Sequence, residues 1–129
     1  MSGIKGYKDL IAWQKGMDLV DAVYRLSALF PAEEKYGLTS QVRRAAVGIP
    51  SNVAEGYGRP GREDYIRFLD IARGSANEVE TQLLIAIRLG YVRQEQAGKS
   101  LALVNEEQRI LKGLADRVSQ SDKKSFRTS

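Results

Sequence analysis

Few side chains in this 129-residue chain could do chemistry, and the sequence contains neither histidine nor cysteine. That removes the commonest general base near neutral pH, thiolate nucleophiles, disulfides and the commonest transition-metal ligands. Glu55, Glu78 and Glu80 are the candidates for a carboxylate metal site. A di-iron centre in a helical bundle draws on Glu-x-x-His, so without histidine these acids read instead as caps and as partners of arginine. Gly56-Tyr57-Gly58-Arg59-Pro60-Gly61 spells GxGxxG. That pattern holds dinucleotide phosphates only when a strand precedes it and a helix follows. Here the apolar spacing on both sides is helical. The glycines therefore read as a connector, with Gly56 or Gly58 taking positive φ and Pro60 helping to open the next helix. No catalytic residue, metal ligand or cofactor is expected.

Arginine remains as the side chain with recognition chemistry. Between residues 35 and 73 stand seven basic residues (Lys35, Arg43, Arg44, Arg59, Arg62, Arg67, Arg73) against four acidic ones (Glu55, Glu63, Asp64, Asp70). The planar guanidinium fork suits phosphate. Arg59, Arg62 and Arg67 are the first candidates for nucleic-acid contact. Arg43 and Arg44 are candidates too, with ion pairing to Asp70 or Glu78 as the structural alternative. The net charge of +4 permits a polyanionic partner without requiring one.

Four helices must position these residues. Helix 1 is expected over about 9–29, with Asp9 as N-cap and Pro31 as stop. Its stripe is Trp13, Met17, Val20, Tyr24 and Ser27, and Leu19, Val23, Leu26 and Phe30 lie beside it. Helix 2, about 38–55, carries Leu38, Val42, Ala45, Ile49 and Val53. The phase crosses Pro50 unbroken, which predicts one Pro-kinked helix. Helix 3, about 62–89, carries Tyr65, Leu69, Ala72, Ala76, Val79, Leu83 and Ala86 in faultless 4–3 steps, with Gly90 ending it. Helix 4, about 94–118, carries Leu101, Val104, Leu111, Ala115 and Val118, with Leu103, Ile110 and Leu114 alongside.

Short connections favour antiparallel neighbours, so the fold class is all-α: an up-down-up-down four-helix bundle over 1–118, followed by a disordered polar tail, 119–129. No apolar run spans a bilayer and no signal sequence is evident, so a cytoplasmic protein is expected. The run Leu83-Leu84-Ile85-Ala86-Ile87 is apolar all round its helix, which leaves Leu84 and Ile85 for an interface between subunits.

Three stretches carry a family resemblance: YKDLIAWQKGMDLV (7–20), FPAEEKYGLTSQVRRAAVGIPSNVAEGYGR (30–59) and YIRFLDIARGSANEVETQLLIAIRLGYV (65–92). They resemble the bacterial four-helix-bundle proteins encoded within 23S rRNA intervening sequences. That fold is shared with the accessory variability determinant proteins of diversity-generating retroelements. The resemblance implies a ring, typically a homopentamer, with a basic surface. The retroelement relatives bind nucleic acid and a reverse transcriptase. No catalytic residue carries over. The expected function is a non-enzymatic homo-oligomer binding RNA or DNA. The alternative is a protein-interaction scaffold with no nucleic-acid affinity of its own.

Overall fold

The structure is a computed structural model that describes residues 3–121. Its helices are α1 (Ile11–Ser27), α2 (Leu38–Tyr57), α3 (Arg62–Arg88) and α4 (Gln94–Gln120), with short 3₁₀ turns at Tyr7–Asp9 and Ala32–Glu34. Helices α1 and α3 each pack against both α2 and α4. Neighbours run in opposite senses. Ser27 near the end of α1 meets Arg43 near the start of α2, while Gly16 lies against Ile49 and Pro50. On α2 and α3, Gly48 faces Ser75 and Gly56 faces Tyr65 and Phe68.

The α3 stripe is buried as its spacing predicts, from Tyr65 through Ala86. Each fully buried Leu or Val in it contributes about 1.5–3 kcal/mol of apolar transfer. The helix ends in a Schellman turn: Gly90 adopts φ +77°, Tyr91 N–H donates to the Ala86 carbonyl at 2.9 Å and Gly90 N–H to that of Ile87 at 3.0 Å.

Helix α2 continues unbroken through Pro50 to Tyr57. Proline supplies no N–H to the Ala46 carbonyl. Two residues on, the Asn52 amide donates to the Gly48 carbonyl at 2.7 Å. Gly90 is the sole positive-φ residue among those described, which corrects the expectation for Gly56 and Gly58. Gly58 stays in the right-handed helical region and its N–H bonds the Ala54 carbonyl. Gly56 is required for space, since a Cβ there would stand 2.8 Å from the Phe68 Cβ.

Helix α1 buries only part of the broad apolar face expected from its two stripes, and Ser27 is the one residue of the first stripe that is buried. Its buried face is Ala12, Gly16, Leu19, Val23 and Leu26, while Met17 and Tyr24 are exposed and Trp13 and Val20 half-buried. Small residues at 12 and 16 let α1 approach α2 and α4 closely, and the larger side chains then fall outside. Asp9 is not the N-cap. It sits in the preceding 3₁₀ turn and accepts a hydrogen bond from Lys5 N–H at 2.9 Å, and Leu10 occupies the cap.

On α4 the buried positions are Ala97, Ser100, Val104, Glu107, Leu111, Leu114, Ala115 and Val118, while Leu101, Leu103 and Ile110 are only partly buried. The helix extends to Gln120, so the start of the expected tail is helical; the rest of that tail lies outside the described residues.

Candidate nucleic-acid interface

The α2–α3 corner brings Arg59 and Arg67 together, while Arg62, the first residue of α3, reaches to the end of α4. It forms because Gly56 lets α3 fold back tightly on α2, with the Tyr57 and Tyr65 rings edge-to-face at 6.1 Å. Phe68 lies between two guanidinium groups, Arg59 at 4.9 Å and Arg67 at 4.5 Å from the ring centroid. Arg59 also pairs with Glu55 at 2.7 Å, and its Nε has no hydrogen-bond partner among the described residues. Arg67 stands 3.5 Å from Asp64. Arg62 donates to the Ser121 carbonyl, which ties α3 to the end of α4. Helix α3 opens at Gly61 with no side-chain cap, so its first N–H groups lack an acceptor from the cap residue. An uncapped helix start flanked by arginines favours an anion, although Glu63 and Asp64 occupy the same first turn.

Arg43 and Arg44 do not join this corner. Sixteen residues separate Arg43 from Arg59, roughly 24 Å at about 1.5 Å per residue. The Arg43 side chain donates to Ser27 Oγ at 2.8 Å and to the Tyr24 carbonyl at 3.3 Å, and lies 4.6 Å over the Tyr24 ring. It fastens the end of α1 to α2. Arg44 is exposed and lines a shallow cleft with Gln41, Gly48, Ser75, Glu78 and Gln82.

Neither makes an ion pair among the described residues, so the expected pairing with Asp70 or Glu78 is not formed. The facing of Gly48 and Ser75 sets the register. It places Arg43 and Arg44 level with Glu80 and Val79, about six residues beyond the Arg73–Gly74 level expected from a symmetric turn over 56–61. The cause is that α2 runs on through Tyr57 and Gly58, so the reversal falls closer to α3.

The three glutamates are likewise separate. Glu55 holds Arg59, Glu80 accepts from Gln108 at 2.9 Å, and Glu78 lies in the Arg44 cleft. Among the described residues no cluster of acids could hold a metal ion. Leu84 and Ile85, expected at a subunit interface, are 47% and 40% exposed on α3.

Sequence reasoning missed three features. A polar groove of about 420 Å³ between α3 and α4 brings Arg109 and Lys112 beside Arg73, Asn77 and Gln108. Its two walls come from helices far apart in sequence, so no local charge count could join them. Glu34 reaches back to accept from Leu38 N–H at 2.8 Å and from the Tyr91 hydroxyl at 2.6 Å. Those bonds, the Leu38 one first, hold its carboxyl below the usual range, and the Glu34 bond is also the main cause that raises the Tyr91 hydroxyl.

The third is Glu107, wholly buried, with neither carboxyl oxygen hydrogen-bonded among the described residues. Burial first, then the charge of Glu106, pushes its pKa up to about 9 against the opposing pull of Lys15. It is therefore neutral at pH 7. Gly16 makes room for it: a Cβ there would stand 3.1 Å from Glu107 Oε2.

No helix among the described residues is long and apolar enough to cross a membrane. Comparison with curated proteins finds no match. The crystal structure of a protein of unknown function from the S23 ribosomal protein family of Bacteroides thetaiotaomicron superposes with a TM-score of 0.75. It is 25% identical, and the match covers 81% of this chain and 98% of that one. The family model for the 23S rRNA-intervening sequence protein matches residues 8–113. With its four helices and this match over most of its length, the chain belongs to the 23S rRNA-intervening sequence protein family.

Proposed function

We propose that this protein is a non-enzymatic, self-assembling cytoplasmic bundle that binds nucleic acid through the α2–α3 corner. The observation that carries this reading is the pair Arg59 and Arg67 on the Phe68 ring beside the turn into α3, with Arg62 as the first residue of that uncapped helix. Phosphate oxygens would accept from the guanidinium groups and from the first-turn N–H groups. Phe68 restricts two of the three arginines, which lowers the conformational cost of presenting them. Assembly of several copies would multiply a contact that is modest in one. The family description names 23S rRNA, which makes a structured fragment of that RNA the first probe.

Retention of such a fragment on the purified protein, measured across a salt series, tests the reading. Affinity must fall linearly in log–log form as counterions are released. No retention at about 50 mM salt rejects it.

One observation favours a second reading. Glu55, Glu63 and Asp64 share the corner with the three arginines and balance their charge. A balanced corner suits a protein partner, such as the reverse transcriptase that the family resemblance implies. Capture of a protein partner that survives nuclease, with no RNA retention, would support that scaffold role.

A further inference from the structure

We propose that Glu107 of α4 and the Ala46 carbonyl of α2 hold one internal water between them inside the bundle. This site is independent of nucleic-acid binding and of assembly. Glu107 is wholly buried, and neither carboxyl oxygen is hydrogen-bonded among the described residues. Lys15 does not serve it, since that ammonium pairs with Glu106 at 3.6 Å. A buried polar group left in this way calls for a partner.

Pro50 creates the complementary deficit. It has no N–H for the Ala46 carbonyl, and Ala46 is itself wholly buried, so bulk water does not reach that oxygen. The two deficits lie close together. A Cβ on Gly16 of α1 would stand 3.1 Å from Glu107 Oε2 and 3.4 Å from Pro50 Cβ, so the carboxyl and the proline ring flank one point. The levels of the helices agree with this. Gly48 faces Ser75, which puts Ala46 level with about Asn77. Gln108, next to Glu107, bonds both Asn77 and Glu80, which puts Glu107 near that level too. A helical carbonyl points toward the residue four positions on, so that of Ala46 leans toward Pro50 and the Gly16 crossing.

Side-chain size leaves the room. Gly16, Ala46, Ala72 and Ala76 are small and buried. Burial keeps the Glu107 carboxyl protonated at neutral pH, so it has a proton to donate. Its O–H donates to the water oxygen. The water donates one hydrogen to the other carboxyl oxygen and one to the Ala46 carbonyl. Three bonds are the usual complement of a buried water. Both carboxyl oxygens and the carbonyl freed by Pro50 are then satisfied, and α2 is joined to α4 across the core.

Magnetic relaxation dispersion of water oxygen-17 counts the waters held inside a protein in solution. The wild type should hold one more long-lived water than Glu107→Met and one more than Pro50→Ala, which returns an N–H to the Ala46 carbonyl. The first variant nearly conserves volume and the second places the best helix former in a helix, so both should fold, as circular dichroism would check. A crystal structure of the wild type needs no variant. It should place the water about 2.8 Å from a Glu107 carboxyl oxygen and from the Ala46 carbonyl. Equal water counts in the three proteins overturn the proposal. So does a carboxyl bonded directly to the Ala46 carbonyl, or a dry space around it. A water lost in Glu107→Met but kept in Pro50→Ala overturns the role of the Ala46 carbonyl.

Discussion

Replacing Glu107 by glutamine should stabilise the protein, and by an amount that grows with pH. The substitution keeps the shape of the side chain and removes its proton equilibrium. In the folded state the carboxyl titrates at about 9; in the unfolded chain it returns to 4.5. Between those values the folded state binds the extra proton. The contribution of Glu107 is therefore fully present below pH 4.5 and falls as pH rises toward 9, by about 1.36 kcal/mol per pH unit. Over the interval from 4.5 to 7 the loss is roughly 3 kcal/mol, a large share of the 5–15 kcal/mol typical of a domain.

Glutamine has no such loss. Urea unfolding at fixed protein concentration, followed by circular dichroism at pH 5.5, 7 and 8.5, measures the difference. The variant should exceed the wild type by an amount that increases about 1.4 kcal/mol per pH unit. A difference that stays constant over this range would mean that the carboxyl is not held neutral in the core. A variant less stable at every pH would show that the two amide N–H donors of glutamine, buried without an acceptor, outweigh the removed titration.

Two further substitutions probe the elements that place the arginine corner and the α2 start. Gly56→Ala would drive a Cβ to 2.8 Å from Phe68 and 3.2 Å from the Tyr65 backbone. It should cost about 1–3 kcal/mol by forcing α2 and α3 apart, and an unchanged urea midpoint would contradict the close approach. Glu34 contributes stability that is present above the ordinary carboxylate value of 4.5 and lost as pH falls through its lowered folded value. Glu34→Gln should flatten the acid unfolding curve in that window and speed hydrogen exchange at Leu38 N–H. An identical acid transition would show that the bonds to Leu38 and Tyr91 carry no linkage.

Legibility in the sequence follows side-chain size. Helix α3 reads in full because Tyr65, Leu69, Val79 and Leu83 fix a 4–3 phase on which Ala72 and Ala76 also fall. Helix α1 does not, because its core contact is made by Ala12 and Gly16, which a count of large apolar residues passes over. The signal for Glu107 is present: the apolar α4 stripe steps from Val104 to Leu111 across two turns, and the missing position between them is the buried acid.

The arginine corner is half legible. Arg59, Arg62 and Arg67 are neighbours through one turn, but the Ser121 carbonyl that holds Arg62 is 59 residues away. The Phe68 ring, shared by Arg59 and Arg67, reads in sequence as one more apolar residue. A search for opposite charge does not find the partners of Arg43, because Ser27 Oγ, the Tyr24 carbonyl and the Tyr24 ring are not carboxylates.

The most direct measurement compares the salt dependence of 23S rRNA fragment binding by the wild type and by Arg59→Gln/Arg62→Gln/Arg67→Gln. Each phosphate left without its guanidinium should reduce the log–log slope by about 1, so the triple variant should bind more weakly and with a slope shallower by up to about 3 per copy. Equal slopes and affinities for the two proteins would contradict phosphate recognition at the α2–α3 corner.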